Sequence, residues 1–426
     1  MIDRPVPRGS LLRIGVLVFC VAFLLRAGWG IVQHARGVDL ANLEFPDEQQ
    51  YWRMAQSLHG GEGLRDEFGF RATRMPLYPG ALSLLAGVAQ GVIWAKGVQW
   101  LVGAAGAVLM VHLGAGIGSR RTGLLSGLWG AIDPFAIFFS SLLLTETLYI
   151  VWILLLWCVA LPLVRSPRTD SSPWGRYLIL GVVGAGAVYT REAALGLVLA
   201  VLALTLLVRP PRRAALRAAA LTCAVLLLAL LPWALRNRQV TGAWCFLTNR
   251  SGISLYDGVG PQADGSSDLA AIQQMPAVHK LDEASWNRFF LDASWQSLRE
   301  DPWRIVKLAG VKLRRTWNCF PNVETHQSTL ARSVSAAFVV PTFVLALVGV
   351  GVMVKMGRGD GVRGALFLLL PVVYVSALHS LFVGSVRYRL VAMPMIEILA
   401  AMALAGVLAR FCSSSARAGG RPEHAH

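Results

Sequence analysis

Residues 97–118 read GVQWLVGAAGAVLMVHLGAGIG, and Ser119-Arg120-Arg121 follows at once. The stretch contains no Asp, Glu, Lys or Arg. A helix needs about 20 predominantly apolar residues to cross the hydrocarbon core of a bilayer, and the arginine pair marks where this one leaves it. The rest of the chain repeats the pattern. Of its 426 residues 55% are hydrophobic and only 15% charged, and its mean hydropathy is positive. Soluble domains carry a charged share of about a quarter, so this composition excludes a soluble globular protein. The net charge of +16 would suit nucleic acid in a soluble protein. In a membrane protein the distribution of charge between loops matters more than the sum, and no nucleic-acid partner is expected.

Hydrophobic runs predict ten spans: Leu11–Ile31, Gly97–Gly118, Leu124–Ser140, Leu148–Val164, Tyr177–Val188, Leu195–Val208, Ala218–Leu231, Ala336–Val354, Ala365–Val383 and Val391–Leu408. The expected fold class is an all-α multi-pass membrane protein. Its loops fall into two alternating sets. One set holds Arg4 and Arg8, Arg120-Arg121, Arg165 with Arg168 and Arg176, Arg209 with Arg212, Arg213 and Arg217, Lys355 with Arg358 and Arg363, and a tail with Arg410, Arg417 and Arg421. Its only acids are Asp3, Asp170, Asp360 and Glu423. Short loops rich in Lys and Arg stay in the cytoplasm, so both termini are expected inside. The first span is too long for a signal-peptide core and reads as retained. Most acids fall on the outer side, in two long loops at roughly 33–95 and 233–333, or close to its interface. Trp29, Trp94, Trp100, Trp174 and Trp233 sit at span ends, as an aromatic belt requires. No soluble segment is large enough to fold alone, so residues 1–426 read as one transmembrane domain.

Cysteines add little. Cys245 and Cys319 share the second outer loop and can pair if that side is oxidising; two unpaired small residues are the equal alternative. No Cys-x-x-Cys, His-Glu-x-x-His, Walker loop, dinucleotide fingerprint or internal repeat occurs.

The first outer loop carries the densest chemistry. Phe45-Pro46-Asp47-Glu48-Gln49-Gln50-Tyr51 places two adjacent carboxylates there, either as solvated loop or as the centre of a reaction at the membrane surface. Tyr51–Leu58 has helical composition, with Tyr51, Met54, Ala55 and Leu58 on one face, and Gly60-Gly61 stops it. Arg71-Ala72-Thr73-Arg74-Met75-Pro76-Leu77-Tyr78-Pro79 then leads into apolar Ala81–Trp94. As a full span, Ala81–Trp94 would invert the sidedness of every later loop, so it reads as a short helix lying in the outer interface. Asp47, Glu48, two arginines, Tyr51 and Tyr78 thus gather at headgroup level.

Later outer turns add charges. Glu146, in Leu144-Thr145-Glu146-Thr147, stands at the mouth of the fourth span. An ionisable residue at that depth is a functional candidate; the alternative is a helix-N-terminal carboxylate offsetting the dipole, worth about 0.3–1 kcal/mol. Asp133-Pro134 reads as an acid before a proline at a bend in the third span. Thr190-Arg191-Glu192 reads as a self-neutralising structural pair in a tight turn. Arg387-Tyr388-Arg389 lies in the last outer turn, and two guanidinium forks around a tyrosine match phosphate oxygens. Interface snorkelling is the alternative, but these arginines stand on the outer side, against the charge rule, with few acids nearby. His379 by itself reads as a packed, hydrogen-bonded residue.

The second outer loop opens Pro232-Trp233-Ala234-Leu235-Arg236-Asn237-Arg238 and ends in helices, the last capped by Asp301-Pro302. Trp303–Trp317 reads as a basic amphipathic helix on the outer leaflet, binding anionic lipid or simply seating the loop.

These residues together resemble the multi-pass glycosyltransferases of the GT-C class, specifically the bacterial relatives of protein O-mannosyltransferases and the lipid A aminoarabinose transferases. The resemblance runs along nearly the whole chain: Asp47-Glu48…Tyr51, Arg74-Met75-Pro76-Leu77-Tyr78-Pro79, Leu144-Thr145-Glu146, Pro232-Trp233…Arg236-Asn237, His379 and Arg387-Tyr388-Arg389. It implies a GT-C fold in a bacterial cytoplasmic membrane and an inverting transferase acting on the extracytoplasmic face. The donor would be a sugar linked to polyprenyl phosphate, the acceptor a hydroxyl of a protein, lipid or glycan. It further implies Asp47 as catalytic acid residue with Glu48 beside it and Glu146 as the second-loop acid. Arg387 and Arg389, with Arg74 and Tyr388, would contact the donor phosphate; Tyr51, Tyr78 and His379 would position substrate. One departure stands out: the aminoarabinose branch carries Glu-Lys-Pro where this chain has Arg74-Met75-Pro76. That removes a carboxylate associated with metal binding, so no metal is carried over; a divalent metal stays open as an alternative that these residues do not support.

Phosphate leaves well and needs charge stabilisation more than a proton donor, whereas the acceptor hydroxyl must lose its proton to a base. Asp47 is the expected base. A transporter or flippase remains the alternative; it should show repeats and mid-bilayer ionisable residues. No repeat is visible, and most candidate charges gather at the outer surface, with Arg26 in the first span and Glu397 in the last as exceptions. A non-catalytic scaffold leaves the outer acids and arginines unexplained.

Overall fold

A computed structural model describes residues 8–165, 174–208, 212–269, 281–323, 327–355 and 360–418, with Ile272 and Met275. Asp3, Arg4, Arg168, Asp170, Arg209, Arg358, Arg421 and Glu423 lie outside the described residues, as do the side chains of Arg212 and Arg417.

Every regular element among the described residues is a helix. α1 (Arg8–Ala35) leads into a long loop holding α2 (Pro46–His59) and α3 (Leu77–Ser83). There follow α4 (Gly91–Ile117), α5 (Arg120–Ile132), α6 (Pro134–Ser140), α7 (Glu146–Arg165), α8 (Trp174–Thr190), α9 (Ala194–Val208) and α10 (Arg212–Thr241). A second long loop holds α11 (Ser251–Val259), α12 (Glu283–Glu300) and α13 (Pro302–Thr316). The chain closes with α14 (Thr329–Lys355), α15 (Asp360–Leu381), α16 (Val386–Arg389) and α17 (Met393–Ala418). Seven of the described helices are long and apolar enough to cross a membrane, and the α5–α6 pair makes an eighth if it counts as one bent span. α8 and α9, at 17 and 15 residues, are shorter. The protein is a multi-pass membrane protein.

Local sequence explains the breaks. Asp133 accepts from Phe135 N at 2.9 Å and Pro134 opens α6, so the third predicted span bends by 55° at that point. Asp301 accepts from Arg304 N at 2.9 Å before Pro302 opens α13. Gly61, at φ +81°, takes the left-handed turn that ends α2. Ala81–Trp94, in contrast, is not one interfacial helix. α3 stops at Ser83, residues 84–90 form turns, and Gln90 in the left-handed region (φ 57°) redirects the chain, so that Trp94 already belongs to α4.

Helices pack through small residues and interlocked aromatics. A Cβ on Gly349 would lie 2.0 Å from Leu399 O, so α14 crosses α17 with backbones nearly touching. Trp157, fully buried, stacks on Phe367 at 5.4 Å and donates to its carbonyl at 3.0 Å. Both long loops sit at one end of the bundle and are stapled together there. Glu283 at the start of α12 accepts from Arg71 N (2.7 Å) and Ala72 N (2.8 Å), and Asn249 N donates to Ala72 O (2.8 Å). α13 buries Ile305 and Leu308 and exposes Trp303, Val306, Lys307 and Arg314. One of its basic residues turns inward: Lys312 Nζ donates to Ser380 O and Leu381 O at 3.3 and 2.7 Å. Cys245 and Cys319 are both free thiols and do not pair.

Candidate active site

The loop end of the bundle gathers charges from positions 47, 74, 146, 191 and 387 into one alternating chain. Asp47 enters from the first turn of α2, whose helical frame is set by Pro46. Its Oδ1 accepts from Arg74 Nη2, and its Oδ2 accepts from Arg387 Nη1 at 2.6 Å. Arg387 also reaches Glu146, through Nε to Oε1 at 2.5 Å. Arg191 Nη1 reaches the same Glu146 oxygen at 2.8 Å. The order is thus Arg74, Asp47, Arg387, Glu146, Arg191. Asp47 is the open member among the acids, its side chain 25% exposed against 2% for Glu146.

Burial opposes ionisation of Asp47, but the guanidinium groups of Arg74, Arg387 and Arg250 together outweigh it and hold the carboxyl well below the usual carboxylate range. Arg387 is correspondingly pushed up: its desolvation is outweighed by Glu146 and Asp47. Arg250 shifts the other way, because burial and the nearby Arg74 charge outweigh Asp47.

Around this chain the aromatic residues act as walls. Arg74 lies 4.9 Å from the Tyr51 ring centroid, and Tyr51 meets Tyr78 edge to face at 5.1 Å. Gln50 accepts from Arg74 Nε at 2.6 Å. Tyr388 is sandwiched between the His379 ring, stacked at 4.1 Å, and the Arg191 guanidinium at 5.3 Å. Next to Glu146, Arg191 and Arg387 lies a small cavity of about 20 Å³, walled by Tyr149, Tyr374, His379 and Tyr388 and floored by apolar side chains.

Several expected site residues stand outside the charged chain. Glu48 is fully buried and turns away from the arginines. Its Oε2 accepts from Glu44 N (3.1 Å) and Phe45 N (3.0 Å), its Oε1 from Leu143 N (2.8 Å). It caps α2 and ties it to the turn before α7. Burial raises its carboxyl, against these three amides and Lys96. Arg389 does not join Arg387. Fully buried, it lies 5.0 Å from the Phe135 ring and 5.7 Å from Phe343, and donates to Asn318 O. Tyr78 donates to Gln99 Oε1 at 2.8 Å and has 3% exposure, so it supports Tyr51 from behind. His379 Nδ1 bonds Val383 O at 2.9 Å, and its ring backs Tyr388. Arg191 pairs with Glu146, not with Glu192 as the turn suggested; Glu192 accepts from Thr248 Oγ1 at 3.4 Å.

Arg191, Arg250 and Gln50 are site residues that the sequence reading missed. The signal for Arg191 was present: an arginine in an outer turn, against the charge rule, as at Arg387. A divalent cation does not fit. Among the described residues no three His, Cys, Asp or Glu side chains converge, and Asp47 and Glu146 are each already held by two guanidinium groups.

The architecture is an all-helical, GT-C-like membrane fold. Among solved structures it is shared with the oligosaccharyltransferase of Archaeoglobus fulgidus. The apo form aligns with a TM-score of 0.61 at 14% identity, over 97% of this chain and 53% of that one. The form tethered to an acceptor peptide containing the NVT sequon gives 0.60 at 14% over 98% and 52%. AglB in complex with an inhibitory peptide and a dolichol-phosphate gives 0.57 at 13% over 98% and 52%. At such identity the likeness is one of fold, and this chain spans about half the length of those structures. No protein-family model matches the chain, and no curated protein matches it.

Proposed function

We propose that this protein is an inverting glycosyltransferase of the cytoplasmic membrane, with both termini inside and the loop end facing out. It takes a sugar from a polyprenyl-phosphate donor and passes it to a hydroxyl of a protein, lipid or glycan. The observation that carries this reading is the alternating Arg74–Asp47–Arg387–Glu146–Arg191 chain, with its most open carboxylate flanked by guanidinium groups. The fold shared with an oligosaccharyltransferase solved in complex with a dolichol-phosphate supports it.

In the reaction, the acceptor oxygen attacks the anomeric carbon from the face opposite the phosphate. The acceptor O–C1 bond forms as the C1–O–phosphate bond breaks, and the phosphate departs with the bonding electron pair. The acceptor proton goes to Asp47, and guanidinium groups receive the charge that develops on the leaving phosphate. Arg387 links the two halves of this chemistry, since it touches both Asp47 and Glu146.

Glu48 separates fold from chemistry. Glu48→Gln replaces one accepting oxygen with a donor, so at least one of the three amides loses its partner at a cost of about 1–3 kcal/mol. The expected result is a lower melting temperature in detergent with transfer per folded molecule unchanged within a few-fold. Loss of transfer at an unchanged melting temperature would return Glu48 to the catalytic machinery. The function itself is tested by incubating the purified protein with a radiolabelled polyprenyl-phosphate sugar and membrane extract as acceptor source.

A further inference from the structure

We propose that Arg191 and Arg387, rather than Arg387 and Arg389, form the clamp for the donor's phosphate, and that Glu146 is the resident anion which that phosphate displaces. This rests on the donor reading above.

The geometry around Glu146 is that of an anion site filled by a poor substitute. Two guanidinium groups converge on Oε1, at 2.5 and 2.8 Å. Oε2 is buried with no partner, on a residue only 2% exposed. A carboxylate with one oxygen doubly engaged and the other orphaned leaves hydrogen-bonding capacity unused on both sides. A phosphate presents more oxygens at fork-compatible angles and satisfies both arginines at once. Arg191 is held in place for this by ring faces, 5.3 Å from Tyr388 and 5.8 Å from Tyr149. Arg389, on the opposite side of the same short helix, packs against Phe135 and Phe343 and does not line the cavity.

The cavity also says what kind of phosphate. Ile150, Val375, Leu378, Leu390 and Val391 line the same space as Glu146, Arg191 and Arg387. A free phosphate gains nothing from that wall, whereas a prenyl chain leaving the phosphate runs along it. At about 20 Å³ the space is too small for a phosphate as it stands, so entry requires Glu146 to swing out. The same displacement draws Arg387 towards the phosphate and loosens its hold on Asp47, which suits the base becoming available when the donor is in place.

The test is binding, not turnover. Full-length wild type and the Arg191→Gln, Arg191→Lys and Glu146→Gln variants are titrated in detergent with polyprenyl phosphate and, separately, with inorganic phosphate. Wild type should bind the lipid phosphate much more tightly than inorganic phosphate. Arg191→Gln should weaken lipid binding about 10- to 100-fold, the range for loss of a charge-assisted bond, and Arg191→Lys should recover part of it. Glu146→Gln should bind more tightly, because the competing anion is gone. Wild-type binding with Arg191→Gln unchanged, or weaker binding in Glu146→Gln, overturns the clamp but leaves the donor reading standing. Equal affinity for the two probes overturns the lipid assignment. Failure of wild type to bind any lipid phosphate overturns the donor reading itself, and the clamp with it.

Discussion

Asp47→Asn is expected to lose transfer by about 10²- to 10⁴-fold, the usual contribution of a positioned general base, while the folded bundle persists. The carboxylate keeps two guanidinium groups in register, one on each oxygen. Asn retains one accepting oxygen but turns a donor towards the other arginine, so donor binding should weaken as well. The pH dependence has a definite sign. The folded-state carboxyl is held well below its ordinary value of 3.8 by Arg74, Arg387 and Arg250 acting against burial. Its contribution to stability is therefore fully present above about pH 4 and lost only as pH falls through the lowered value. In the ligand-free protein Asp47 is ionised throughout the neutral range but is a weak base. Moving Arg387 onto a phosphate should raise its proton affinity. The acid limb of kcat/KM and that of kcat are accordingly expected to differ. A variant that keeps full transfer as Asn would remove Asp47 from the role of base.

Arg387→Gln carries the second large effect. Arg387 alone contacts both carboxylates of the site, at 2.6 Å to Asp47 and 2.5 Å to Glu146. Its loss leaves Glu146, 2% exposed, with Arg191 as the one cation still in contact among the described residues. Breaking one side of such a buried pair costs about 3–5 kcal/mol, so a clear drop in melting temperature is expected together with a loss of transfer of about 10²-fold or more. The double variant Arg387→Gln/Glu146→Gln removes the orphaned charge as well. Its melting temperature should recover while transfer stays low. Recovery of both would make Arg387 a structural partner of Glu146 and nothing more.

Much of the framework was legible from local chemistry. Asp133-Pro134, Gly60-Gly61 and Asp301-Pro302 each act where the sequence placed them, because caps and helix stops depend on neighbours within a few residues. Asp47, Arg74, Glu146 and Arg387, far apart in sequence, do converge. What sequence did not show was the direction of each side chain. Asp47 and Glu48 are adjacent on a helix, so they point about 100° apart; only the position of Leu143 N, a tertiary fact, selects which one faces inward. Arg387-Tyr388-Arg389 suggests a two-arginine phosphate clamp, which needs both side chains on one face, as in an extended segment. Ser385 instead caps a helical turn, its hydroxyl accepting from Arg387 N at 3.3 Å, and residues two apart on a helix face nearly opposite ways. Arg191 looked neutralised by its neighbour Glu192, until packing offered it the more deeply buried Glu146. Ala81–Trp94 looked continuous because nothing in its composition announces a non-glycine residue in the left-handed region at Gln90.

Transfer and transport are separated by reconstituting the full-length protein into proteoliposomes with a radiolabelled polyprenyl-phosphate sugar and a membrane-derived acceptor fraction. The label should appear covalently on acceptor, with free polyprenyl phosphate released in equal amount, and both should vanish in Asp47→Asn. Label that crosses the bilayer still attached to its lipid, with no acceptor modified, would contradict a transferase and identify a flippase instead.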